Sequence, residues 1–157
     1  MAIVYPEICK VLHGGPIVHK THPEAAAQSF KAGAPVFLVA GKVTVIGTLG
    51  TDKIYGLAMQ DATGVTDTPI SVALLTTQMV LSICRNSGST VIADIGIEGT
   101  LTFSGTAGLG KLIWTPAAAG VMGYCIDVDS RDGLGVTNGR LEVVLFPSQL
   151  ALTILTT

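Results

Sequence analysis

The sequence predicts an all-β protein: a small β-barrel, β-tulip or sandwich with an extended N-terminal arm. Three observations carry this. From Phe30 onward, short runs rich in Val, Ile, Thr and aromatic residues recur between Gly, Asn-Gly and Asp-Gly signals, the pattern of short strands joined by tight turns. No window keeps a persuasive helical period. Ahead of Phe30, Pro6, Pro16 and Pro23 with the tight "HGGP" of His13–Pro16 block helix interiors and central strands.

Along the chain, residues 1–30 form the arm and 31–157 the β-rich body, built as one unit or as two similar hairpin lobes. The arm holds all three histidines and the apolar residues Ile3, Val4, Tyr5, Pro6, Ile8, Val11, Leu12, Ile17 and Val18. Lacking dense charge, it is a poor candidate for permanent disorder and is expected to order against a partner surface. "PEAAAQ" at 23–28 allows one helical turn. In the body, "PVFLVAGKVTVIG" (35–47) runs apolar with β-branched residues between Gly33 and Gly47. "KIYGLAMQDA" (53–62) follows a "GTD" turn and "PISVALL" (69–75) the turn-like "ATGVTDTP". "MVLSICR", "VIADIGIEG", "TLTFSG", "KLIWTP", "GVMGYCIDVD", "RDGLGVTNG" and "RLEVVLFP" continue the series to 147. The one helical contender, "DTPISVALLTTQMVLSIC" (67–84), carries β-branched residues and an internal Thr-Thr that suit a strand pair as well.

One phrase is said twice. "GKVTVIGTLGTDKIYGLAMQDATG" (41–64) and "GKLIWTPAAAGVMGYCIDVDSRDG" (110–133) both open on Gly-Lys and pass an apolar run and a small-residue turn. Each then resumes at a Gly, Gly56 or Gly123, and ends on acidic residues and a Gly. The reading is one hairpin used twice, each with a strand glycine marking a bulge or close backbone approach.

Composition bounds the function. The apolar fraction is 48%, charged residues are 13% and mean hydropathy is +0.59, yet no apolar run is long and unbroken enough to span a bilayer. The excess is expected to be covered by protein, in a self-assembled oligomer or on a larger partner. A net charge of −2 without a basic run points away from nucleic acid. "MAIVYPEICK" has no signal-peptide plan, and the widely spaced Cys9, Cys84 and Cys125 read as buried thiols of a reducing compartment.

No catalytic or cofactor constellation emerges. Cys9, His13, His19 and His22 are the only metal-like group, but their spacing is irregular and no metal is expected. Ser71, Ser82 and Cys84 lack a nucleophile elbow. Asp127, Asp129 and Asp132 lack the rest of a calcium loop and read as turn formers. "GTAGLGK" (105–111) is one residue short of a phosphate loop and has no Ser or Thr after its Lys. The chain is expected not to be an enzyme.

"FKAGAPVFLVAGKVTVIG … KIYGLAMQDATG" resembles the small phage proteins of the DUF2190 kind, with Ala32-Gly33, Gly56-Leu57-Ala58 and Asp61-Ala62 carrying the match. "GVMGYCIDVDSRDGLGVTNGRLEVVLFP" is similar to their closing part, and the likeness runs over residues 29–147. These proteins are similar to the head-decoration, or cement, proteins of tailed phages. The resemblance implies a small barrel or tulip, homotrimers, and a place on the virion surface against the major capsid protein after synthesis in the host cytoplasm. The capsid contact would run through the arm. The longer Pro/His arm and the second Gly-Lys stretch depart from the family pattern. A different class of function is a virion surface module for glycan or a host receptor, with Trp114, Tyr124 and the loop 127–139 as its face. Another virion part, a tail-tube or head-completion subunit, is a third.

Overall fold

The computed structural model describes residues 9–151 of the 157. Its strands are β1 (Lys10–His13), β2 (His19–Pro23), β3 (Pro35–Val39), β4 (Lys42–Val45), β5 (Gly56–Ala58), β6 (Pro69–Leu74), β7 (Val80–Arg85), β8 (Glu98–Phe103), β9 (Leu112–Pro116), β10 (Gly123–Val128) and β11 (Arg140–Leu145). Short 3-10 turns lie at Ile92–Asp94 and Pro147–Gln149. The protein is all-β, as the strand and turn signals predicted.

Two five-stranded sheets share one strand order. The first is β2-β6-β5-β3-β4. The second, β7-β11-β10-β8-β9, closes into a barrel through parallel pairing of β9 with β7. The ends of the first sheet also meet, through one parallel bridge between Glu24 and Val43. Strand β1 stands outside this scheme and pairs antiparallel with the first half of β7.

The equivalence extends to single residues. Gly56 pairs with Val36 and Leu74, and Gly123 with Gly99 and Leu145. The Glu24 amide donates to Thr68 O at 2.8 Å and the Arg85 amide to Gly139 O at 2.8 Å. The next amides, Ala25 and Asn86, donate to Val43 O and Trp114 O at 3.0 and 2.8 Å. Gly33 and Gly96 donate to Ala58 O and Cys125 O at 2.7 and 2.8 Å, with φ of 89° and 86°. That left-handed backbone strains any residue with a β-carbon, so glycine recurs at this post in both sheets.

The doubled Gly-Lys phrase therefore lies on equivalent strands, the third and fourth of each set, but it is no hairpin. β4 and β5 do not pair with each other; both flank β3, as β9 and β10 both flank β8. By ladder position Val43 corresponds to Trp114, so Gly110-Lys111 sits two residues ahead of the place equivalent to Gly41-Lys42. A shift of two keeps the same face of a strand, which is why the phrases look alike.

Other expectations are corrected in detail. "PVFLVAGKVTVIG" is a β3–β4 hairpin turning at Ala40-Gly41, both with positive φ, the backbone of a two-residue primed turn. "PEAAAQ" forms no helical turn; Ala27 has φ of 55°. "VIADIGIEG" holds a 3-10 turn before β8 begins. "DTPISVALLTTQMVLSIC" supplies β6 and β7, which end one sheet and begin the next instead of pairing together. β2 is the first strand of the first sheet, so a boundary at 30/31 falls inside that sheet. A single apolar cluster joins both halves, with Phe30, Val36 and Ile70 on one side and Leu81, Trp114 and Leu141 on the other.

Candidate functional site

The outer face of the first sheet carries an apolar cavity of 320 Å³ lined by Leu57, Met59, Ala32, Gly33 and Ala73 and, from the N-terminal segment, Cys9, Val11 and Ile17. The pleat explains why Leu57 faces out: Ala58 beside it turns inward and is fully buried. Leu57 is nonetheless only 4% exposed, because β1, held against β7 by its pairing, brings Cys9 and Val11 over it.

Among the described residues, no segment covers the corresponding face of the barrel. There Cys125 points in and Tyr124 out, with the Tyr124 hydroxyl over Gly96. Tyr124 is 39% exposed, and Ile95, Ile97 and Ile126 on the neighbouring backbone are similarly exposed. These isoleucines escaped the sequence reading because their runs look like ordinary strand; only the pairing of 95–97 beside β10 shows that they join one surface.

The sequence-nominated residues divide. Ile3, Val4, Tyr5, Pro6 and Ile8 lie outside the described residues. Val11 and Leu12 are half-buried on β1, while Ile17 and Val18 are exposed. Tyr124 lies on the outer face of the barrel. Trp114 does not lie on the surface: it is 0% exposed, inside the barrel. The ligand face expected from Trp114, Tyr124 and loop 127–139 thus loses Trp114 and keeps Tyr124 alone of its two aromatic residues.

Several ionisable groups are held in fixed structural contacts. Asp129 accepts from Arg131 Nη2 at 2.6 Å and Ser82 Oγ at 2.7 Å. The Arg131 guanidinium holds its carboxyl well below the usual range, with the Arg131 amide and Ser82 adding to the effect and burial opposing it. Arg140 grips Asp132 through Nε and Nη2 at 2.8 and 2.7 Å and lowers that carboxyl likewise. The acidic loop is thus an arginine-clamped turn. Arg85 donates to the buried Asp94 at 2.8 Å, and Glu24 accepts from the amides of Thr63 and Gly64 and from the Thr63 hydroxyl. His22 meets the Tyr55 hydroxyl at 2.9 Å. Burial, then the charge of Asp94, pushes the Cys125 thiol up to about 11, far from a reactive thiolate. The "GTAGLGK" stretch is the β8–β9 connection, and its Gly108 carbonyl accepts from the Lys31 amide at 2.9 Å. Among the described residues no three His, Cys, Asp or Glu side chains gather as a metal site, and no helix is long and apolar enough to cross a membrane.

Compared with known proteins, the chain matches no family model and no curated sequence.

Proposed function

We propose that this chain is a structural virion protein that binds the outside of a tailed-phage capsid and stabilises it, as a decoration or cement protein. The observation that carries the reading is the set of large apolar side chains turned outward on a stiff β frame. Tyr124, Ile95 and Ile126 stand on the barrel and Ile17 and Val18 beside the covered groove. Such clusters on a chain with few charges mark surfaces that another protein covers. The sequence likeness to phage head-decoration proteins agrees with this use.

In this reading the segment ahead of Cys9 lies along neighbouring capsid subunits, where main-chain pairing supplies affinity and alternate side chains supply selectivity. Repetition over a symmetric shell multiplies weak contacts. The test mixes the full chain, and a variant lacking residues 1–8, with undecorated capsids and images the particles. The cut stops at Ile8 because β1 and β2 belong to the folded body. Full-chain density on the capsid and its loss in the shortened variant are expected. Bare particles with the full chain, or equal decoration by the shortened one, reject respectively the capsid role and the arm's part in it.

A further inference from the structure

The two sheets match in strand order and in ladder register up to the bulge that follows Cys125, so a position filled in one and open in the other has a meaning. Two such positions lie among the described residues. In the barrel, the free edge of β7 is taken by β1, with Lys10 opposite Ser82 and His13 opposite Val80. The equivalent edge of the first sheet is His19–Thr21 of β2, where all three residues are exposed and no strand pairs among the described residues. The Glu24-to-Thr68 and Leu74-to-Val18 bonds fix the alternation of the β2–β6 ladder, so the amides of His19 and Thr21 point away from β6 into that opening. Conversely, the outer face of the first sheet at Leu57 is covered by the segment that adds to β7. The equivalent barrel face at Tyr124 is open.

Within the chain these are the two halves of one joint: the outer face of one sheet lies against the augmented first strand of the next. Among the described residues, each chain keeps one unused face, on the barrel, and one unused edge, on the first sheet. We propose that a second copy of this chain fills them, the Ile95–Tyr124–Ile126 face of one copy meeting the His19–Thr21 edge of the next in the relation the two sheets already hold within one chain. A face that meets a different surface makes a heterologous contact, so association runs head to tail, to a ring or an open row. Within the chain the joint is made by the β1 segment, whose main chain adds to β7 while Cys9 and Val11 lie over Leu57. The recurrence of the same face and edge in each sheet is why the occupant is a second copy and not an unrelated strand. The inference does not rest on the capsid reading, and its test contains no capsid.

The experiment measures the mass of the full chain by light scattering over a wide concentration range, alone and with one half of the joint blocked. Thr21→Pro removes only an outward amide from an edge strand, a placement proline tolerates; Tyr124→Glu puts a charge on the face. The unaltered chain is expected to exceed one copy with rising concentration, and each variant to remain single. An equal mixture of the two variants is expected to form a dimer and stop, since each retains the half the other lacks. A chain that stays single throughout overturns the proposal. So do variants that associate like the parent, or a mixture of folded variants that stays single. His19→Pro and Ile126→Glu read the same edge and face should either first variant fail to fold, with circular dichroism as the check.

Discussion

Gly99 lies directly beneath the indole of Trp114: a β-carbon there would stand 2.3 Å from Cε2 and 2.4 Å from Nε1. The first sheet has Val36 where the barrel has Gly99, and Val43 where it has Trp114. Bulk moved from one strand to its neighbour leaves each interior filled, as dense packing requires.

Gly99→Ala is therefore expected to cost about 2 kcal/mol or more, the range for overfilling a packed core, read as a lower urea midpoint. Gly47→Ala is the control. A β-carbon at Gly47 meets nothing within 4 Å, and its melting should stay near that of the parent.

Acid should weaken the fold in a defined window. Asp129 and Asp132 have carboxyls lowered by Arg131 and Arg140. Folding thus favours their charged forms, and the stabilisation is complete above the unfolded value of about 3.9. It is lost as pH falls from there toward the folded values. Urea midpoints should be flat near neutrality and drop below about pH 4, and Asp129→Asn should be less stable near neutrality with a shallower acid limb. A parent whose midpoint is unchanged at about pH 3 contradicts the clamp.

Glu24 is fully buried and takes three donors from Thr63 and Gly64. Glu24→Gln places an amide NH2 against a donor, and the expected loss is about 1–3 kcal/mol, the cost of an unpaired buried group. Glu24→Ala should lose at least as much. Denaturant titration measures both.

The thiols should be silent in the native state. Cys9, Cys84 and Cys125 are buried and form no disulfide, and Cys125 is pushed up to about 11. Iodoacetamide at about pH 8 should leave Cys125 unmodified until denaturant is added, since the thiolate is the reactive form. Mass spectrometry of digested protein reads the site.

Much of the architecture was legible in the residues. β11 alternates half-buried and buried side chains throughout and β6 alternates as far as Val72, and Gly, Asn-Gly and Asp-Gly mark the breaks. The repeat was half legible. Gly33 and Gly96, Gly56 and Gly123, Val72 and Val143, and Leu74 and Leu145 match across it, but most equivalent pairs do not. His22 faces Ile70 as Ile83 faces Leu141, an exchange that hides the relation. Trp114 shows the opposite failure: an aromatic residue on a strand suits core and surface alike, and only the facing Gly99 decides.

By itself the sequence determined most strands after Phe30, their turn signals and the surplus of apolar side chains, because these follow from backbone preference and period along the chain; β1 and β2 lay in the stretch read as an arm. Tertiary structure alone decided that two sheets share one register, that Leu57 is covered while Tyr124 is partly exposed, and that one strand edge is filled while its counterpart is open among the described residues. Those outcomes depend on which strands become neighbours, and neighbours in a sheet are set by closure of the whole ring, which no local stretch encodes.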